Sequence, residues 1–386
     1  MKPAGDDVNC LSNKESSSDE GPSVEGVEAA AYTLATDAPE ADGTLEWDET
    51  TLVVVHARSG TTTGLGYTYG APETAAYIRG HLAPVATGRS VWDVPGANEA
   101  MARAVRNDGR PGLAACAISA VDIALWDLKA RVLGLPLVRL LGQARARVPV
   151  YGSGGFTTYD DGQQDRQLRR WVEEQSIPRV KIKIGESWGS AEGRDRERIA
   201  RARASIGDTA ELYVDANGGY TVKQAVRVAS WLGDHGVTWF EEPVSSDDLE
   251  GLARIRSVID VDVAAGEYGY TLAYFGQMLR AGAVDCLQAD ATRCGGLTVW
   301  LRAAALAEAF GLHISGHCAP HAHAAAAASV PNLRHLEWFH DHVRLESRWF
   351  DGTLDPEGGH ITPGADGAPG HGLTLRAADA EPHRTG

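Results

Sequence analysis

The chain has 386 residues, 43% hydrophobic and 23% charged, with a net charge of −16. That length holds two domains or one large barrel with an attachment, and the composition is that of an ordinary soluble globular protein. The acidic balance argues against nucleic acid or an anionic membrane as partner, and no apolar run is long enough to span a bilayer; a small anionic substrate stays open, because a bound cation reverses the local field.

Residues 1–23 are rich in Ser, Asp, Glu and Gly, lack the apolar core of a signal peptide, and read as a disordered leader. Strands are expected at 24–35 and 51–57, with the acidic segment 36–49 as a loop between them. Residues 63–70 read as a glycine-interrupted strand or a turn. Helical patterns follow at 72–82, at 98–107 and most clearly at 113–133, where Ala117, Val121, Ala124, Leu125, Leu128 and Val132 share one stripe and Gly134 and Pro136 close the helix. Residues 24–142 therefore read as an α+β unit. The cysteines, Cys10, Cys116, Cys286, Cys294 and Cys318, show no CxxC pair, which fits reduced thiols in a cytoplasmic protein.

After Gly142 short apolar strands alternate with amphipathic helices. The strands are expected at 148–151, 179–184, 212–215, 238–242, 261–266, 284–290, 312–317 and 334–337. Thr221 and Gln224 form a capping-box pattern after the third of them. Alternation predicts a parallel sheet, and eight such strands within 143–348 predict a barrel. The Gly- and Pro-rich segment 349–386 is expected to return to the first domain, its last dozen residues frayed.

Ionisable residues stand at the C-terminal ends of these strands: Lys181 and Lys183, Asp215, Glu241, Glu267, Asp290, His317 and Glu337. From Asp215 to His317 the steps are 26, 26, 23 and 27 residues, about one strand-plus-helix unit each. The residues are thus expected at one height, converging on the mouth where barrel active sites are built. Asp215, Glu241 and Glu267 make a hard-oxygen set suited to Mg²⁺; any one alone would read as a helix cap or surface acid. In VKIKI the lysines point opposite to Val180, Ile182 and Ile184. A solvated edge strand would show that pattern too, but a barrel strand is covered on both faces. Near a metal and a second lysine, an ammonium can lose its proton near neutral pH and act as a general base. His317 differs from the other histidines in standing one strand beyond Asp290, a partner that would fix its tautomer and leave one ring nitrogen free.

On these residues the chain resembles the enolase superfamily, and within it the mandelate racemase subgroup, from about residue 24 to the tail. Lys181-Ile182-Lys183 matches the KxK of the second barrel strand. Asp215 in VDANGGY, Glu241 in WFEEP and Glu267 in AAGE match the metal carboxylates of strands three to five. Asp290 in QAD and His317 in SGH match the Asp–His dyad of strands six and seven, and Glu337 in HLEW the glutamate of strand eight.

The resemblance implies an α/β fold: a (β/α)7β-type TIM barrel with an N-terminal α+β capping domain, two of whose loops select the substrate. Here those would be 36–47 and 64–70, with Trp47, Tyr67 and Tyr69 as contacts. It implies Mg²⁺ on the three carboxylates and an enediolate stabilised by the metal, Lys181 and a protonated Glu337. Lys183 and His317 would face the α-carbon from opposite sides, either one as the base. Asn217 and Arg293 would bind polyol hydroxyls or a second anionic group, or serve the fold alone. Loss of a β-hydroxyl gives a sugar-acid dehydratase forming a 2-keto-3-deoxy acid, the favoured outcome; reprotonation gives a racemase or epimerase; a non-catalytic carboxylate-binding barrel stands third. Cycloisomerases and dipeptide epimerases are disfavoured, since they carry lysine where this chain has Asp290. The implied partners are a small carboxylate and further copies of the chain, as a dimer or octamer.

Overall fold

The computed structural model describes residues 21–386. Most of the expected leader, including Cys10, lies outside the described residues. The remainder of it is not loose: Val91 N donates to Pro22 O and Ser23 bridges to Ser90.

Three antiparallel strands begin the fold: β1 (Gly26–Ala41), β2 (Glu46–Ser59) and β3 (Thr62–Tyr69). The run from Leu52 to Val55 is buried throughout because both faces of this sheet are covered. Val53, Val55 and Ala57 face a helical layer, whereas Leu52 and Val54 join the core shared with the barrel. The helical layer includes Val94–Ala104 and Leu113–Val132. The first of these starts earlier than its apolar stripe suggests, because Asp93 accepts from Gly96 N and a proline stands in the first turn.

The segment 36–49 is not a loop. β1 and β2 run on into a long hairpin with a register shift between Ala35 and Glu40. Its turn is closed by Asp42 Oδ1, which accepts from Thr44 N at 2.6 Å and Leu45 N at 2.8 Å. Backbone pairing needs no apolar side chain, so the acidic sequence hides the strands. Gly43 sits where a Cβ would lie 2.7 Å from the carbonyl oxygens of Ile184 and Ala216, so the turn lies against the barrel rim. Residues 63–69 are strand, with Gly70 just beyond it, and Gly64 and Gly66 are likewise explained by close approach. A Cβ on Gly66 would meet Ala120 O at 2.2 Å and one on Gly64 would meet Ala124 O at 2.3 Å.

Eight parallel strands follow and close on themselves: β4 (Val148–Gly154), β5 (Arg179–Lys183), β6 (Glu211–Asp215), β7 (Val237–Glu241), β8 (Asp262–Ala265), β9 (Cys286–Ala289), β10 (His313–Gly316) and β11 (Leu333–Phe339). Pairing of Leu336 with Val150 and Glu337 with Tyr151 completes the barrel. Helices connect consecutive strands, and His340–Trp349 follows the last. The capping box of Thr221 and Gln224 is formed. Tyr151, Tyr213, Trp239 and Cys286 pack inside as a plug, with the Tyr213 and Trp239 rings stacked 5.5 Å apart. Among the described residues no helix is long and apolar enough to cross a membrane.

The last dozen residues are held rather than frayed. Ala31 N donates to Gly386 O, Thr385 N donates to Ala31 O, and Arg384 bridges to Tyr32, so they lie along β1.

The close seat of Leu113–Val132 on β3 gives a direct test. Gly66→Ala forces a methyl against helix backbone and is expected to destabilise the fold by about 2 kcal/mol or more. An unchanged urea midpoint would show that the helix moves aside freely.

Candidate active site

The plug forms the floor. Lys181 stands above it, fully buried. Its Nζ bonds Glu241 Oε1, lies 2.8 Å from Glu337 Oε1 and 3.5 Å from Asp215 Oδ2, and faces the Tyr151 hydroxyl at 3.4 Å. Lys183 Nζ donates to Asp215 Oδ2 at 2.5 Å. Burial, the largest effect, lowers the affinity of both lysines for a proton, but the surrounding carboxylates reverse it and raise both above the ordinary lysine value. The expected loss of the lysine proton would thus depend on the charge of a metal held by Asp215, which would weaken that carboxylate's hold on the Lys183 ammonium.

Lys183, Asp215 and Glu241 pair in register on β5, β6 and β7. Glu267 departs from the expected common height. It follows the end of β8 by two residues, and the chain returns it through Gly266, φ +129°, where a Cβ would lie 2.1 Å from Gln288 O. With that bend, Asp215, Glu241 and Glu267 each bring a buried carboxylate oxygen within 4.8 Å of the others. Burial, with the charges of Asp215, Glu337 and Glu267 behind it, raises the Glu241 carboxyl well above its ordinary value despite Lys181. Asp215 goes the other way: burial pushes it up, and the two ammonium groups and the Asn217 N–H pull it down further. Glu267 Oε2 is buried without a hydrogen-bond partner. An orphaned oxygen, a carboxylate strained by its neighbours and an all-oxygen donor set fit a small divalent cation.

Beyond it, His317 Nδ1 is 2.8 Å from Asp290 Oδ2. Burial raises the Asp290 carboxyl, but the bond from His317 and the charges of His317 and Arg293 bring it below the ordinary range. An ionised Asp290 accepts only, so Nδ1 carries the proton and Nε2 faces Glu267 Oε2 at 3.3 Å. Thr292 N and Oγ1 both donate to Asp290 Oδ1, and His323 Nε2 accepts from Ala291 N, fixing the loop that carries the aspartate. Glu337 accepts from Ser153 Oγ, Lys181 Nζ and Cys318 N, at 2.5, 2.8 and 3.0 Å. Three donors hold it ionised: burial raises it, and Lys181, His317 and Lys183 take it well below the usual carboxylate value. The protonated Glu337 expected from the sequence is thus corrected.

A cavity of about 360 Å³ lies over these groups, lined by Lys183, Glu267 and His317 and walled by Trp47, Tyr69, Asn217 and Arg293. Tyr67 is not among them. It is fully buried, with its hydroxyl on Glu346 Oε1 at 2.9 Å beside that of Tyr69 at 3.0 Å. Tyr67 lies deeper in the strand, and only Tyr69, at its end, reaches the opening. Arg293 lies between Glu267 Oε1 at 3.3 Å and Asp290 Oδ2 at 3.5 Å, its guanidinium over the Tyr268 ring.

The sequence reading missed Asp42, Leu45, Glu49, Tyr268, Cys318, Asp341 and His342, all of which line the cavity. Tyr268 and Cys318 directly follow Glu267 and His317, so adjacency to a strand-end residue was the available signal. It also missed Glu40, buried in the hairpin, with Oε2 accepting from Trp47 Nε1 at 3.0 Å. Burial, then Asp341 and Asp37, push its carboxyl up to about 9.

Two family models match the chain: "Enolase C-terminal domain-like" over residues 163–380 and "Mandelate racemase / muconate lactonizing enzyme, N-terminal domain" over 33–142. An L-talarate/galactarate dehydratase of Salmonella typhimurium is 32% identical over 300 residues, 75% of this chain and 74% of that protein. A mandelate racemase/muconate lactonizing enzyme-like protein from Rubrobacter xylanophilus is 48% identical, with a TM-score of 0.90 over 94% of this chain and 100% of its own. A racemase from Streptomyces coelicolor A3(2), solved with bound magnesium, is 30% identical, with a TM-score of 0.87 over the same shares.

The Glu40 carboxyl makes the hairpin sensitive to pH. Folded, it keeps its proton to about 9; unfolded, it loses it in the ordinary carboxylate range. The folded state binds the extra proton between those values, so stability falls as pH rises through that window. Glu40→Gln is expected to raise Tm at pH 8.5 by a few degrees more than at pH 5.5. Parallel Tm curves would show that Glu40 is ionised in the native protein.

Proposed function

The chain belongs to the enolase superfamily, in the mandelate racemase and muconate lactonizing enzyme family, and on that premise we propose that it dehydrates a sugar acid to a 2-keto-3-deoxy acid with Mg²⁺. The observation that carries the reading is the convergence of Lys183 and the His317–Asp290 pair on one cavity that also contains Glu267. Asp215, Glu241 and Glu267 would hold the Mg²⁺. When bound, the ion supplies positive charge beside the substrate carboxylate, where abstraction of the α-proton places negative charge.

The protein groups have distinct tasks. Lys181 is a fixed ammonium, raised by its carboxylate neighbours and too deeply buried to exchange partners, so it serves as a preorganised positive charge. Glu337 stays ionised and locks Lys181 and the Cys318 N–H in place. Lys183 and His317 stand on strands three positions apart around the ring, and an α-carbon between them presents its proton to one or the other according to its configuration. The group on the far side can then protonate a departing β-hydroxyl as water. Asp290 keeps the His317 tautomer that leaves Nε2 free to exchange protons. Racemisation uses the same pair, with the second proton delivered to the α-carbon. The described cysteines are all free, in keeping with a cytoplasmic catabolic enzyme.

Incubation with Mg²⁺ and pooled sugar acids in heavy water tests the reading. Keto-acid release is expected; α-deuterium without keto acid would mark a racemase; neither outcome across a broad library would mean a non-catalytic binder. Lys183→Ala and His317→Asn are each expected to reduce dehydration by about 10³-fold or more with the fold retained by circular dichroism. Full activity in either variant would remove that residue from the mechanism. Glu241→Gln is expected to weaken Mg²⁺ binding about tenfold or more by calorimetry; unchanged affinity would exclude it as a ligand.

A further inference from the structure

The cavity over the carboxylates continues sideways. A second cavity, of about 480 Å³, shares Asn217 and Tyr268 with it. Glu242 lines this second space; it is 1% exposed, yet its Oε1 has no hydrogen-bond partner. Asn217 Oδ1, at the junction, is likewise buried and unpartnered. Glu242 and Asn217 adopt φ of +37° and +45°, a conformation that side-chain-bearing residues seldom hold unless the surroundings impose it. Ser245, Ser246 and Tyr270 add hydroxyls to the same wall. A buried acceptor left without a donor at the wall of a cavity is an acceptor for something that enters it.

The charge of the walls limits what can enter. Among the described residues, the second cavity has no lysine or arginine in its lining, and Glu242 and Asp247 are its carboxyl-bearing side chains. In the first, Lys183 is bound to Asp215 and Arg293 lies between Glu267 and Asp290, both at the reacting centre. What remains of its ionisable wall is Asp42, Glu49, Asp341 and the histidines. A second carboxylate at the far end of a substrate would lie among acids with no free cation to meet it, whereas hydroxyl groups would donate to them.

We propose, resting on the dehydratase reading above, that the substrate is an aldonate, a sugar acid with a single carboxylate. Its uncharged, hydroxylated tail runs past Asn217 and Tyr268 into the second cavity, where Glu242 Oε1 and Asn217 Oδ1 accept from tail hydroxyls. The inference selects mono- over dicarboxylates within one reaction class.

The wild-type protein with Mg²⁺ is assayed for keto-acid formation on matched pairs, each aldonate beside the aldarate of the same configuration. The aldonate is expected to show kcat/KM higher by about tenfold or more. Glu242→Ala is expected to raise KM severalfold for six-carbon aldonates and much less for four-carbon ones, whose tails end short of it. Aldarates turned over as well as or better than aldonates would overturn the inference and leave the dehydratase reading standing. A Glu242→Ala effect equal at both chain lengths would overturn the placement of the tail. No keto acid and no α-proton exchange from any pair would overturn the dehydratase reading, and this inference with it.

Discussion

Negative charge crowded into a dry barrel mouth governs this structure. Asp215, Glu241, Glu267, Asp290 and Glu337 are each at most 2% exposed. The cations beside them are Lys181, Lys183 and Arg293, which leaves two carboxylates without a protein counter-charge. Two like charges 4 Å apart repel by about 4 kcal/mol at an effective dielectric near 20, a large share of the stability of any domain. The raised Glu241 carboxyl and the orphaned Glu267 oxygen are symptoms of that surplus. A divalent cation cancels it, so the demand for metal is built into the charge balance rather than into any one ligand. The same surplus explains why both lysines keep their protons when no cation is present: they are the only positive charges the inner carboxylates have.

The work is divided between strands and turns. Strand register and the aromatic plug set Lys181, Lys183, Asp215 and Glu241, and a barrel strand cannot shift by one residue without turning its side chains to the other face. The remaining walls of the two cavities come from elsewhere: the hairpin turn at Asp42, the end of β3 at Tyr69, and the turns after β6, β7 and β8. The cap is tied to the catalytic end directly, since Thr68 Oγ1 donates to Thr292 O, next to the loop that carries Asp290. A change in the cap can thus reach the dyad through two residues.

The periodic part of this design is legible in the sequence because period is what sequence displays. Eight apolar runs, seven of them with an ionisable residue at or just after their end, at intervals of about one strand and helix, place the barrel and its inward lysines without reference to any contact. What stays hidden has no period. The hairpin of β1 and β2 is made by backbone pairing beneath acidic side chains. The return of Glu267 depends on one positive φ at Gly266. Tyr67 and Tyr69 look equivalent two residues apart, and only the length of the strand separates a buried hydroxyl from a cavity wall. Glu337 looks like a residue that needs a proton until its three donors are seen. Protonation depends on neighbours from distant strands, and a linear reading carries no information about how many of them converge.

The residues 384–386 that lie along β1 do more than end the fold. A three-stranded sheet has two outer strands, and an outer strand offers its free N–H and C=O groups to any other extended chain. Here β3 is shielded by the seat of Leu113–Val132, while the bonds between Ala31 and residues 385 and 386 occupy part of the outer margin of β1. The cap thereby closes part of its own adhesive margin with residues more than 340 positions further along the chain, so the sheet stays open to mispairing until residues 384–386 have docked on β1.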